Sequence, residues 1–194
     1  MSSSVANEHL TVVHLNLNPE YEDDVDFNLF IFTQWWPQTQ CYEDLKPELV
    51  LQWPSYSTPD DYAAFWKHEW DKHGTCATNL SFLNSEHKYF EVSLSLNIKY
   101  DIFKALNQGG RITPTSDKVY QVKDIEVALF KVFKVHPTVY CLPVKPSEQM
   151  LSYVELCFDK TLTPINCLNS TANCDYTKPV QYPPIIHAGL ESVF

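Results

Sequence analysis

The fold class the sequence predicts is α+β, an antiparallel sheet with helices packed on it, and three observations predict it. Residues 27–33 form a short apolar run, with Phe27, Leu29, Phe30, Ile31 and Phe32 filling both faces, as in a central strand. Residues 138–141 and 151–158 alternate as half-buried strands do and are expected to pair in the same sheet. Residues 59–73 and 86–106 carry apolar side chains at helical spacing, so these two helices are expected to pack over it.

Taken in order, residues 1–26 are polar, rise to the acidic cluster Glu22, Asp23 and Asp24, and read as an arm leading into the domain. The strand at 27–33 then runs into Gln34, Trp35, Trp36, Pro37 and Cys41. The helix at 59–73 has clear start and stop signals. Thr58 or Ser57 suits the N-cap, Pro59 the first helical position, Asp60 and Asp61 the positive end, and Gly74 the left-handed position after the end. The segment 86–106 has Tyr89, Phe90, Val92, Leu94 and Leu96 as its apolar residues, a break near Asn97, and Gly109 with Gly110 to close it. Residues 111–114 and 120–122 suggest a turn and a short strand. Asp124 is expected to cap a further helix reaching about Lys134, with Ile125, Ala128, Leu129, Val132 and Phe133 as its buried face. From Asp159 the chain is loop-rich, with Cys167 and Cys174 as anchors, and residues 185–194 form a tail beyond the domain.

With 194 residues, 44% hydrophobic and 14% aromatic, the chain is long enough for one well-packed domain and short for two. It has no apolar run of the length, about 18 residues, that a membrane span needs, so no membrane partner is expected. The first residues lack a basic stretch followed by an apolar one, so no signal peptide is read in this chain. The formal charge of −10 argues against broad, charge-driven nucleic-acid binding, and any RNA contact must be local. With all seven His protonated and the carboxylates ionised, the balance would be −10 + 7 = −3, which suits acidic surroundings better. Six Cys, four of them beyond residue 140, read as disulfides formed in an oxidising compartment. Asn79-Leu80-Ser81 and Asn169-Ser170-Thr171 are glycosylation acceptors if the chain is secreted.

The densest chemistry lies at residues 65–76. On a helix, residues three and four apart share a face, so Tyr62, Phe65, Trp66, Glu69 and His73 form one stripe whose end is a carboxylate and an imidazole. His68 and Lys72 form a second polar pair beside it. Aromatics at this spacing ordinarily mean core, but an ionisable pair in line with them costs desolvation unless it is used or satisfied. Zinc fails on geometry: His68 and His73 are five residues apart and point roughly 140° apart at 3.6 residues per turn. No metal and no cofactor are expected.

The run Phe65-Trp66-Lys67-His68-Glu69-Trp70-Asp71-Lys72-His73-Gly74-Thr75-Cys76 closely resembles the second catalytic segment of the ribonuclease T2 family, the acid endoribonucleases of vacuoles, lysosomes and secretions. The strand at 27–33 with Gln34, Trp36, Pro37 and Cys41 resembles the family's first strand and following turn, and the likeness extends over about residues 27–184. It implies a ribonuclease T2-like fold, single-stranded RNA as partner, a monomer, and a secreted, lysosomal or vacuolar location. By resemblance, Glu69, Lys72 and His73 are catalytic and His68 helps bind phosphate. Gln34, Trp53, Pro54, Ser55 and Phe65 resemble residues that contact the base on the leaving side, the alternative role of Trp53 and Phe65 being packing under the helix. The resemblance also pairs Cys141 with Cys174 and Cys157 with Cys167. It leaves Cys41 and Cys76 without their family partners, and these two are expected to be free thiols.

One departure governs the functional reading. The family carries, between the matches of Cys41 and of residue 44, a first catalytic segment of the form His-Gly-Leu-Trp-Pro. Here Glu43 passes directly into Asp44, and no His lies between His14 and His68. In the family's reaction the ribose 2′-OH attacks the adjacent phosphorus, gives a 2′,3′-cyclic phosphate and releases the next nucleoside. His73 matches the base, while the leaving-group acid is the His that is missing. None of His9, His14, His87, His136 and His187 sits in a matching motif. An impaired ribonuclease is therefore expected, the alternatives being an active enzyme with a recruited acid, a non-catalytic secreted RNA- or partner-binding protein, and a splice form or incomplete gene model of an active enzyme.

Overall fold

The computed structural model describes residues 43–55, 61–167 and 172–184. The polar arm, the strand at 27–33, Gln34, Cys41, the helix start at 57–60, the Asn169 acceptor and the tail 185–194 lie outside these residues. The described residues divide into two compact units, one ending at residue 95 and one beginning at residue 96.

In the unit ending at residue 95, helix α1 (Lys46–Gln52) begins with Pro47 in its first turn, where a missing N–H is harmless. Helix α2 (Tyr62–Lys72) is capped by Asp61, whose side chain accepts from the Ala64 N–H at 3.0 Å. Asp61, expected to favour the positive end, thus supplies the cap in place of Thr58 or Ser57, because a carboxylate there satisfies an amide that the helix cannot. A 3-10 turn, Gly74–Ala77, follows directly. Gly74 does not take the left-handed conformation expected of it; a Cβ at Gly74 would lie 2.2 Å from Cε3 of Trp70, so glycine is needed there for space. Helix α3 (Glu86–Lys99) runs across the division between the units. Its Tyr89 and Phe90 are buried with Trp53 against them, ring centroids 6.2 and 5.6 Å apart, and Trp70 lies 5.7 Å from Tyr89.

The second unit carries the sheet. The break expected near Asn97 falls later, at Tyr100–Asp101, where Asp101 caps helix α4 (Ile102–Gly110) by accepting from Lys104 N–H at 2.9 Å. Gly109 and Gly110 are inside this helix, and the left-handed cap is Arg111, at φ 54°. A Cβ on Gly109 would sit 2.0 Å from the carbonyl oxygen of Ala128, so the glycine lets α4 touch the backbone of helix α5 (Val122–Phe133). Gln121 is the N-cap of α5 and Asp124 lies in its first turn, where it favours the helix dipole rather than capping. Ile125, Ala128 and Leu129 are buried as expected, but Val132 is 36% exposed.

Four strands, β1 (Thr115–Tyr120), β2 (Thr138–Lys145), β3 (Glu148–Glu155) and β6 (Val180–Tyr182), form one sheet in the order β1-β6-β3-β2. Two of its pairings are antiparallel, and β3 runs parallel to β6. The expected strand 151–158 is divided: β4 (Cys157–Phe158) leaves the sheet and pairs with β5 (Pro164–Ile165). The stretch beyond Asp159 therefore contributes an interior strand. Val180 is fully buried in a core with Leu106, Ile125, Leu129 and Val139. Disulfides join Cys141 to Cys174 and Cys157 to Cys167, with Cα atoms 4.9 and 5.3 Å apart, the two pairs that the resemblance implies.

Candidate active site

Helix α2 sorts its side chains as the stripe requires. Trp66 and Glu69 are buried, Tyr62, Phe65, Trp70 and His73 are half-buried, and Lys67, His68, Asp71 and Lys72 are exposed. The aromatic part of the stripe is fixed by packing. Tyr62 stacks on Trp66 at 5.6 Å between ring centroids, and the Trp66 indole N–H donates to the Trp53 carbonyl at 2.9 Å. Lys67 and Asp71 form an ion pair on the outer face, leaving Lys72 one turn after His68.

Glu69 is 7% exposed, and its Oε2 has no hydrogen-bond partner among the described residues. A buried carboxylate oxygen without a donor costs about 1–3 kcal/mol or more, and no described residue offsets that cost at Glu69 Oε2. It is one helical turn before His73, whose backbone N–H closes the helix on the Glu69 carbonyl at 3.0 Å. Burial first, and then the neighbouring Glu69, pushes the Tyr89 phenol well above the ordinary range. Tyr89 is thus within electrostatic reach of Glu69, which its apolar spacing on α3 did not distinguish from simple core.

The remaining predicted contacts divide. Trp53 is 6% exposed, wedged between Tyr89 and Phe90, and its own Nε1 has no partner among the described residues; this geometry corresponds to the packing role. Ser55 is buried, whereas Pro54 and Phe65 are half-buried. Gln34 is outside the described residues. Cys76, at the end of the 3-10 turn, is an exposed free thiol. No group of three or more His, Cys, Asp or Glu suited to a metal ion occurs among the described residues.

Helices with an antiparallel-rich sheet, and a helix carrying the His-Glu segment, define the class of protein as α+β. Comparison with known proteins makes the class specific. The model of the Ribonuclease T2 family matches residues 42–167. Ribonuclease T2 of Sus scrofa is 41% identical over 144 residues, covering 72% of this chain and 71% of that protein. Ribonuclease T2 of Danio rerio is 34% identical over 176 residues, covering 79% and 71%. The crystal structure of human RNase T2 superposes with a TM-score of 0.67 at 38% identity, covering 78% of this chain and 77% of that one. The chain belongs to the ribonuclease T2 family.

Proposed function

We propose that the protein binds single-stranded RNA through helix α2 and cleaves it slowly, by transphosphorylation to a 2′,3′-cyclic phosphate. The observation that carries this reading is the buried Glu69, whose Oε2 has no partner among the described residues, one turn before the half-buried His73. His73 takes the 2′-OH proton. Glu69 orients the imidazole and balances its charge once protonated. Lys72 and His68, both exposed, offset the charge that grows on the phosphoryl oxygens. Pro54 and Phe65 remain the accessible base contacts, stacking against the nucleoside on the leaving side. No step of this reaction calls for a metal or cofactor.

The leaving-group acid has no match, since no His lies between His14 and His68. A general acid contributes about 10²–10⁴-fold to rate, and its loss places the enzyme below its complete relatives. Secretion or delivery to an acidic compartment fits the two disulfides, and the protein acts as a monomer.

The test is cleavage of homopolymeric RNA at pH 5, with and without a chelator, scored for cyclic-phosphate ends. We expect turnover at least about 10²-fold below that of a complete family member, insensitive to chelation and absent in His73→Ala. Full activity that depends on His73 overturns the impairment and points to a recruited acid. RNA affinity with no turnover at all favours the non-catalytic reading, in which α2 is a binding surface.

A further inference from the structure

We infer that the C-terminal end of α5 is a second contact for single-stranded RNA, in which a nucleobase stacks on His136 while Lys131 and Lys134 meet the adjacent phosphates. The inference rests on RNA being the ligand, as proposed above, but uses none of the α2 residues.

The His136 ring lies flat on Phe130, with centroids 4.5 Å apart and planes 18° apart. Neither ring belongs to the core: Phe130 is 40% exposed and His136 is exposed. The backbone beneath the imidazole is held from both sides. The His136 N–H donates to Asn166 Oδ1 at 2.8 Å, and its carbonyl accepts from the Cys167 N–H at 3.2 Å. Cys167 is in turn tied by its disulfide to Cys157. Holding an exposed ring in one place costs conformational entropy, and here the ordering covers no apolar core. What it produces is a stacking platform. Phe130 occupies one face of the imidazole, and a planar base adds to the other. Every base has such a face, so this contact is sequence-tolerant.

Two cations, Lys131 and Lys134, lie between the two rings in the sequence. Lys131 follows Phe130 on the helix, where its Nζ donates to the Gly109 carbonyl at 3.2 Å. Lys134 ends α5 in the left-handed conformation, at φ 62°, and is exposed. The carboxylate one turn before Phe130, Glu126, is engaged by the Tyr176 hydroxyl. In a chain of net charge −10, broad attraction to a polyanion is absent. An exposed ring with two lysines on the same helix end is the local form that binding can still take.

The experiment measures anisotropy of a labelled 12-nucleotide oligoadenylate at pH 5, low salt and excess chelator, with thermal melts confirming that each variant is folded. His136→Ala should weaken binding at least about fivefold, the lower end of what one stacked base is worth. His136→Phe, which keeps a planar ring, should stay within about twofold of wild type by the same reasoning, since stacking needs only a π-face. The double variant Lys131→Gln/Lys134→Gln should flatten the salt dependence. Wild-type affinity in His136→Ala, or equal losses in the Ala and Phe variants, overturns the platform. Heparin displacing RNA equally well from wild type and His136→Ala also overturns it, by showing a general anion patch. A parallel cleavage assay separates the two readings: activity that depends on His73 with no effect of His136→Ala removes only the second contact, and the reverse pattern removes only the α2 reading.

Discussion

At the scale of single residues, Glu69 carries the most information. A purely structural buried Glu would have its oxygens satisfied, and Oε2 has no partner among the described residues. Glu69→Gln keeps the shape and removes the charge, so it lifts a desolvation cost rather than opening a cavity. We expect a melting temperature equal to or above that of wild type, together with a loss of roughly tenfold or more of any cleavage, a fraction of the 10²–10⁴ that a positioned base supplies. Melts recorded beside rates decide it, and unfolding of the variant with unchanged rate per folded molecule would make Glu69 structural. Its position was legible in the sequence because the stripe Tyr62, Phe65, Trp66, Glu69 and His73 follows from helical spacing alone. The space demanded at Gly74 was not, since a clash with Trp70 depends on where an indole turns, and no local signal encodes that.

At the scale of elements, helix α3 is held by its rings, while the charge in its first turn works against it. Glu86, in its first turn, has its carboxyl pushed upward, first by burial and then by the Asp71 charge, with Lys67 opposing. A carboxyl whose folded pKa is raised above the unfolded one contributes stability below the unfolded value, and loses it as pH rises through the folded value. Glu86→Gln should therefore melt with wild type near pH 4 and above it near pH 7, by roughly 1 °C, the size of a few tenths of a kcal/mol in a domain of this length. Scanning calorimetry at the two pH values measures the difference, and an equal offset at both would remove the electrostatic explanation. The helices were legible where periodicity was strong, as at Ile125, Ala128 and Leu129 of α5. Their ends were displaced by capping chemistry: Asp101 restarts the chain where Asn97 was expected to break it, and Arg111 turns where the paired glycines were expected to. Those glycines answer instead to the close approach of Ala128, a tertiary demand.

At the scale of the whole molecule, the sheet depends on a strand of three residues. Strand β6 lies between β1 and β3, its Val180 is fully buried, and the Gln149 side chain holds the turn before it by bonds to Asp175 and Lys178. Nothing in the short alternation of Val180, Gln181 and Tyr182 announced an interior strand, and its parallel pairing with β3 comes from a long connection that local pattern does not reveal. A chain ending at Lys178 should lose hydrogen-exchange protection throughout β1 and β3, while the α2 segment keeps its helical signal. Protection of β1 surviving the truncation would show that the sheet closes without β6. The consequence reaches back to how such a chain is made. Synthesis adds about 5–20 residues per second, from the N-terminal side onward, so β1, β2 and β3 leave the ribosome before the strand that must separate two of them exists. The hairpin of β2 and β3 and the ten-residue Cys157–Cys167 loop have all their parts early, whereas the Cys141–Cys174 link waits for the later segment. The strand made last is the one on both of whose sides the earlier strands must wait.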